Sequence, residues 1–535
     1  MLIVLMSCDK FFDINTDPNN PVSPQSDLLL TNSQAAISSA VSMSTAGLSG
    51  QLSVFMHQIT RRGEGDQYGT QGNDFMINSA WGSFYDIALQ DLGVIIETET
   101  INNNLIYVGI AKLLKAYSYS VMVDVWGDLP YSEANQIVEF TFPNFDDDES
   151  IYPALISLID EGIADIGNVD ATNIIAPGAD DLIYGGDTDK WVRFANTLKL
   201  KMLYQTTLVS TFSNRDAMIN QLITDGNLIS DASEDFELWY GASGPTPENR
   251  HPVFVSEYTQ ANPNFYVSVW LYETLQGRNL NVLNGVVDPR IPYYYHRQLL
   301  PGAAAENPTE FLEPDGFLSI HFGSIHPNQA SGQQSSQSVV GLYACGGFYD
   351  DDSGTKVTAT TGNGVAPERM LTYFKRLYME AELALDGIIV GDAKALLQSA
   401  IEASFAEVNE MVSSTNQTAV PEISDADRDA YIASVLAEYD AGNNDKKLEV
   451  ILTQKWLASF GSSVDVYADY RRRGYPVIFD PNNYNGPEAS KYQATTTSGK
   501  PFLVSLPWSD GDLQINPNAP AQKDPATEKV FWDAN

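Results

Sequence analysis

The chain has 535 residues and a formal net charge of −39, because 69 acidic side chains outnumber 30 basic ones. This excess of acid repels phosphate groups and argues against a protein that binds nucleic acid or anionic lipid through its surface charge. The 43% of hydrophobic residues is enough for a large core and excludes a disordered acidic chain. Only 19% of the residues are charged, so uncharged polar side chains supply much of the surface. That balance favours a ligand recognised through hydrogen bonds and aromatic ring faces.

The two cysteines exclude a disulfide scaffold and a four-cysteine metal site. Cys345 lies in a YACGG segment, where we expect a buried, small apolar side chain. Residues 5–8 read LMSC and resemble a bacterial lipobox, whose cysteine becomes the first mature residue and is acylated. We therefore interpret residues 1–7 as the remainder of a signal peptide and Cys8 as a lipid attachment site. The simpler alternative is an ordinary buried cysteine.

The N-terminal segment predicts a protein that is anchored to a membrane without spanning it. The apolar run before Cys8 is too short to cross a bilayer, and no second stretch of about 20 apolar residues follows. Residues 9–27 are rich in Asn, Asp and Pro, a composition typical of an extended linker. We therefore assign residues 8–27 to a lipidated cysteine with an extended tether.

Apolar side chains recur three and four residues apart in several segments, which predicts amphipathic helices. Two such segments run over residues 106–121 and 191–202, the second with Asp187 as a candidate cap. Residues 371–385 and 393–408 predict an antiparallel helix pair. Ser424 and Asp427 form a capping box for a further helix, and a last apolar stripe covers residues 448–460.

These patterns predict a mainly α fold, a tetratricopeptide-like superhelix of helix pairs, although no clean repeat of about 34 residues is present. We place a single helical domain at residues 28–535. Two loop-rich regions, at about residues 240–365 and 475–535, carry many Pro, Gly, Asn and aromatic residues. Long irregular segments of this kind usually serve a function in compact proteins, so we expect the ligand-binding loops there.

The sequence predicts no catalytic centre, metal site or cofactor, although calcium stays open. Two acidic runs, at residues 146–149 and 350–352, are interpreted as solvated loops, with calcium coordination as the alternative. The five histidines are scattered, and His321 and His326 lack the spacing of a helical zinc pair. No nucleophile elbow, P-loop or dinucleotide-binding fingerprint occurs.

Aromatic residues stand beside hydrogen-bonding residues in two predicted loops. The candidate ligand-binding residues are Arg62, Asp66, Tyr68 and Trp81 in one group and Asn264, Phe265 and Tyr266 in the other. A sugar needs such a mixture, because its C–H faces stack on aromatic rings and its hydroxyls take polar partners. We expect the aromatic members to stack and the polar members to form hydrogen bonds. The alternative is that these rings hold long loops onto the core.

Three sequence blocks resemble a known family. They read DVWGDLPYSEA at residues 124–134, LIYGGDTDKWVRFAN at 182–196, and QKW at 454–456 followed by DYRRRGYP at 469–476. Together with the LMSC start and the NTDPN segment at residues 15–19, they are similar to the SusD/RagB family of Bacteroidetes surface lipoproteins. The blocks cover nearly the whole chain. One departure is SLPWSD at residues 505–510, where the family often carries a different Pro- and Tyr-containing segment.

The resemblance implies a mostly α fold of four tetratricopeptide-like helix pairs with irregular ligand-binding loops. It also implies a lid on a TonB-dependent (SusC-like) outer-membrane transporter that hands over nutrients, commonly oligosaccharides, without catalysis. The matched blocks are expected to identify the scaffold and not the ligand. Two alternatives remain: a surface glycoside hydrolase, which needs two carboxylates in its cleft, and a structural partner of the transporter without a ligand site of its own.

Overall fold

The computed structural model describes residues 25–62, 67–136, 139–260, 263–323, 333–480 and 501–535, and these are mainly helical. The N-terminal helices are α1 (Ser26–Val41), α2 (Leu48–Phe55), α3 (Phe75–Gly82), α4 (Leu89–Asn102), α5 (Leu105–Trp126), α6 (Asp148–Ile166), α7 (Thr188–Gln205) and α8 (Arg215–Asp225). A π-helical turn, Ser83–Ala88, joins α3 to α4. The shorter central helices are α9 (Pro252–Tyr258), α10 (Val269–Leu275), α11 (Ile291–Tyr294) and α12 (Leu342–Cys345). The C-terminal helices are α13 (Tyr373–Leu385), α14 (Ala393–Ser414), α15 (Asp425–Ala441), α16 (Asn444–Ala458), α17 (Val464–Arg473) and α18 (Asp510–Ile515).

Short antiparallel strand pairs organise the irregular central region, and one of them joins it to the N-terminal part of the chain. The pairs within the described residues are β1 (Ile59–Arg61) with β3 (Phe265–Val267), β2 (Phe236–Trp239) with β8 (Pro367–Leu371), β4 (Tyr295–His296) with β7 (Val339–Val340), and β5 (Phe311–Leu312) with β6 (Leu318–Ser319). Within residues 240–365, the described residues combine short helices and strands with irregular loops.

The helix caps predicted from the sequence are present. The carboxylate of Asp187 accepts hydrogen bonds from backbone N–H groups in the first turn of α7. Ser424 accepts from the N–H of Asp427 and caps α15, and its hydroxyl also donates to the Asp427 carboxylate at 2.7 Å, so the two predicted capping residues contact each other. Helix α5 ends at Trp126, because the next residue, Gly127, has a φ of 72° that favours glycine.

Successive helices pack in pairs, as the sequence predicted. Helices α5 and α6 approach closely because each presents a glycine at the contact. A Cβ added to Gly109 would lie 2.6 Å from the carbonyl oxygen of Gly162. Helices α13 and α14, which also follow one another in the chain, pack against each other too. The prediction of a mainly α fold is confirmed. Among the described residues, no helix is both long enough and apolar enough to cross a bilayer.

The interpretation of the acidic runs as solvated loops is wrong at Asp148 and Asp350, which are buried. Asp147 is the N-cap of α6, and Asp148 is buried and accepts a hydrogen bond from the N–H of Phe531 at 2.9 Å. Burial raises the pKa of Asp148 to about 6. Asp350 is buried as well, with a carboxylate oxygen 2.6 Å from the Nε of Arg297. These carboxylates have fixed partners, which a run of acidic letters does not reveal.

Buried charges join α7, α13 and α17 in the core. The carboxylate of Asp465 lies 2.9 Å from the Nζ of Lys201 and 3.2 Å from the Nζ of Lys375. Burial alone would raise the pKa of Asp465, but Lys201, Lys375 and Lys455 outweigh it and hold the pKa well below its ordinary value. Asp465 is therefore ionised and balances cations from three different helices.

A second group of ion pairs continues this network. Arg472 of α17 makes two hydrogen bonds to Glu382 of α13, at 2.6 and 2.8 Å. Lys455 of α16 lies 2.7 Å from Asp469 of α17. Tyr204 of α7 donates to the same Glu382 carboxylate. Each of these side chains is buried, so the carboxylates replace the water that the cations would otherwise need.

Substituting Asp465→Asn is expected to lower the free energy of unfolding by about 3–5 kcal/mol, because two buried lysines lose their shared counter-charge. Urea denaturation followed by circular dichroism measures the change. The control is Asp170→Asn on the exposed surface, expected to shift stability by less than about 0.5 kcal/mol. An Asp465→Asn variant as stable as this control would contradict the assignment.

Candidate functional site

A surface cavity of about 530 Å³ lies between the end of α3 with its π-helical turn, the loop after α5, and α18. We call it the aromatic groove. Its lining residues are Asn78, Trp81, Gly82, Tyr85, Asp86, Pro130, Ala134, Asn135, Phe140, Thr141, Pro143, Ser509, Gly511, Asp512 and Ile515. Cavities of this volume are typical of small-molecule and sugar sites.

Aromatic rings form one wall of the groove. Trp81 and Tyr85 are four residues apart, so they lie on one face, and their ring centroids are 4.9 Å apart at an interplanar angle of 44°. The Tyr85 hydroxyl donates to the carbonyl of Pro130 at 2.6 Å, which fixes that ring. Phe140, from the opposite loop, is 38% exposed. Trp81 also lines the groove, but it is only 5% exposed, so most of its ring packs in the core.

Hydrogen-bonding side chains surround these rings. The Asn78 Oδ1 accepts from the Ser509 hydroxyl at 2.6 Å, and the Asn135 Nδ2 donates to the Tyr85 carbonyl at 2.9 Å. Asp86 and Asp512 supply two carboxylates. Burial raises the pKa of each, and the negative charge of Asp86 raises that of Asp512 further. The groove therefore combines ring faces with amide, hydroxyl and carboxyl groups, which is the chemistry expected of a sugar site.

The structure also brings members of the two predicted groups together, at the pairing of β1 with β3. The N–H of Arg62 donates to the carbonyl of Asn264 at 3.2 Å, and Thr60 lies opposite Tyr266 in the register. Trp81 does not join them, because it lines the aromatic groove instead. Asp66 lies outside the described residues. Asn264 lines a separate cavity of about 640 Å³.

Three of the predicted aromatic residues near the pairing of β1 with β3 are buried. Tyr68 is 3% exposed, and its hydroxyl lies 2.8 Å from the Nε2 of His57. Phe265 is 2% exposed, and Tyr266 is fully buried. The Tyr266 hydroxyl has no hydrogen-bond partner among the described residues. Burial raises the pKa of Tyr266 to about 12 despite the nearby positive charge of Arg62. Their stacking on a ligand stays a prediction.

Several lining residues were missed at the sequence level. Tyr85 could have been found, because a ring four residues after Trp81 in a helical segment lies on the same face. Phe140 belongs to an aromatic–polar alternation, FTF at residues 140–142, which is a weaker signal. Asp512 and Asn135 carry no local pattern, since their contribution depends on how distant segments meet.

A buried carboxylate cluster could hold a cation. One oxygen from each of Asp235, Glu237 and Glu407 lies within 4.8 Å of the others. Arg369 donates to Glu407 at 2.9 Å and balances one charge. Burial, followed by the charge of Glu407, raises the pKa of Glu237 to about 8. Oxygen ligands suit calcium, which the sequence left open, and bound protons neutralise the same cluster.

A known protein family matches most of the chain. Residues 18–494 match the SusD-like family, described as "Starch-binding associating with outer membrane". The chain belongs to the SusD-like family. The resemblance read from the sequence blocks is thereby confirmed. No curated protein matches the chain in sequence.

Solved structures share the SusD-like fold. A SusD/RagB family protein from Bacteroides thetaiotaomicron is 19% identical, with a TM-score of 0.68 over 96% of this chain and 99% of that one. A chitin-binding SusD homolog from Flavobacterium johnsoniae is 18% identical, with a TM-score of 0.64 over 95% and 99%. Another structure, of a chitin-binding protein, is 20% identical, with a TM-score of 0.67 over 94% and 100%. At these identities the likeness establishes the fold alone.

Substituting Glu237→Gln is expected to flatten the pH dependence of stability of this SusD-like protein. The raised pKa means that the folded state holds the Glu237 proton more tightly than the unfolded chain does. This group's contribution to stability is therefore present at low pH and is lost as pH rises from about 5 to about 8. Differential scanning calorimetry should show a smaller fall in Tm over that range for Glu237→Gln than for the wild type. The exposed control, Glu422→Gln, should keep the wild-type slope, and identical slopes in all three proteins would contradict the assignment.

Proposed function

We propose that this protein is a non-catalytic, cell-surface lipoprotein that binds a nutrient oligosaccharide and delivers it to a TonB-dependent, SusC-like outer-membrane transporter. The observation that carries the proposal is the aromatic groove, where rings and hydrogen-bonding side chains line one cavity of a SusD-like fold. The family description as starch-binding and the chitin-binding structural neighbours support a glycan as the ligand class.

The groove can recognise a sugar with the side chains it presents. Phe140 and Tyr85 offer ring surfaces on which the C–H face of a pyranose can pack, and the small exposed part of Trp81 adds to them. Asn78, Asn135 and the carboxylates can exchange hydrogen bonds with hydroxyl groups. The residues around the pairing of β1 with β3, which include Arg62, Asn264 and Tyr266, are proposed to contact the same ligand or a further sugar unit of a longer oligosaccharide.

Phe140→Ala is expected to weaken oligosaccharide binding about tenfold, because it removes an exposed stacking face without opening the core. Isothermal titration calorimetry with starch, chitin and cellulose oligosaccharides, and with peptides, provides the measurement. The matched control is Phe75→Ala, whose ring is 70% exposed and does not line the groove. Trp81→Ala should weaken binding too, with Trp81→Phe as the variant that preserves packing.

Each alternative function predicts a different result in the same experiment. Unchanged affinity in Phe140→Ala, Trp81→Ala and Tyr266→Ala would remove the site proposal. Absence of binding to any glycan or peptide would favour a structural partner of the transporter. Glycoside hydrolysis is favoured by one observation, the two groove carboxylates with raised pKa values, and it predicts shortened oligosaccharides by chromatography. A binding protein leaves the oligosaccharides intact.

The proposed anchor is Cys8, which lies outside the described residues. Several acyl chains on one cysteine give stable attachment, because each buried methylene contributes about 0.8 kcal/mol. Cys8→Ser is therefore expected to move the protein from the membrane fraction to the soluble fraction and to abolish incorporation of labelled fatty acid. The control is Cys345→Ser, since that thiol is buried in α12 and should not be acylated. Continued labelling of Cys8→Ser would overturn the anchor.

A further inference from the structure

The aromatic groove carries negative charge without a basic counterpart. Asp86 from the π-helical turn and Asp512 from α18 are its charged side chains, and no Lys, Arg or His among the described residues lines it. Asp146 lies close to the same rings, but its carboxylate is already bound by the N–H groups of Tyr131 and Ser132, at 2.9 Å each. The net charge of the lining is therefore negative.

One groove carboxylate, Asp512, has a shielded oxygen without a partner within the described part of the protein, and the other, Asp86, is exposed to solvent. The Oδ2 of Asp512 is shielded from solvent and has no hydrogen-bond partner there. The carboxylate of Asp86 lies close to Gly82: a Cβ added to Gly82 would be 3.0 Å from the Oδ2 of Asp86. A shielded carboxylate oxygen without a donor is costly, and the neighbouring carboxylate adds repulsion. A ligand that supplies a cationic donor would relieve both costs together.

We propose that the aromatic groove selects an amino sugar, a glycan unit whose free primary amine is protonated and lies between Asp86 and Asp512. The inference rests on the proposed glycan-binding function and names the ligand class of that site. An ammonium group donates three hydrogen bonds and satisfies both carboxylates. N-acetylation removes this charge, so the acetylated form of the same sugar loses the interaction. Acidic sugars are repelled by the same pair.

An amino sugar fits better than a lysine side chain, which carries the same ammonium group. The groove places the carboxylates beside the ring faces of Tyr85 and Phe140, and amide and hydroxyl groups from Asn78, Asn135 and Ser509 surround them. A pyranose has both a C–H face for the rings and hydroxyls for the polar groups. A lysine side chain uses the charge, but its methylene stem has no hydroxyls to pair with the remaining donors and acceptors of these polar groups.

The test compares glucosamine oligomers with N-acetylglucosamine oligomers of the same length by isothermal titration calorimetry, at a pH where the amine is protonated. The full chain should bind the glucosamine oligomer at least about tenfold more tightly. Asp512→Asn and Asp86→Asn should each remove most of that preference, measured as the ratio of the two affinities, because the amide can still form hydrogen bonds but no longer carries the negative charge. Asp170→Asn, an exposed surface control, should keep the wild-type preference.

The outcomes separate this inference from the function on which it rests. Equal affinity for the two oligomers, unchanged in Asp512→Asn, would overturn the amine preference and leave glycan binding standing. Absence of binding to either oligomer and to neutral glycans would overturn the proposed function itself. A Lys-containing tripeptide that binds as tightly as the glucosamine oligomer would overturn the choice of a sugar. Weaker binding of that peptide supports it.

Discussion

A few buried carboxylates, each shared by several cations, hold the helices of this protein in position. Asp465 balances Lys201 of α7 and Lys375 of α13, while Glu382 of α13 binds Arg472 of α17 and accepts from Tyr204. Ions in a core are tolerated only when each has its partner, because desolvation otherwise costs several kcal/mol per ion. Displacing any one of these helices would strand a buried charge. The network therefore restricts how α7, α13 and α17 can pack.

The sequence blocks that carried the family resemblance supply much of this network, which explains what the sequence could and could not predict. Lys455, Asp469 and Arg472 all come from the third block. The helices and their caps were predictable, because spacing and capping depend on neighbouring residues. The pairing of β1 with β3 was not, since it joins residues about 200 positions apart and no local pattern encodes that partner. Among the arginines that end α17, Arg472 and Arg473 pair with the buried Glu382, whereas Arg471 donates to backbone carbonyls.

The candidate site was less predictable than the fold for the same reason. Trp81 was identified from its aromatic character and lines the groove, whereas Tyr68 and Phe265 had the same local signature and lie in the core. Composition alone does not distinguish a ring that meets a ligand from one that packs a loop. Asp512 joins the groove from more than 400 residues along the chain, so only the folded arrangement places its carboxylate beside Asp86.

The groove is coupled to the core through the end of α5. Trp81 packs edge-on against Trp126 at 5.2 Å, and the Trp126 Nε1 donates to the carbonyl of Pro507 at 3.1 Å. Trp508 in turn donates to the carbonyl of Asp128 at 2.7 Å, which ties the segment before α18 to the loop after α5. Two walls of the groove are thus fixed by the scaffold. Phe140 makes a different contribution, because its exposed ring can change without disturbing these contacts. Ligand preference can therefore vary through such exposed residues while the charged core keeps the fold.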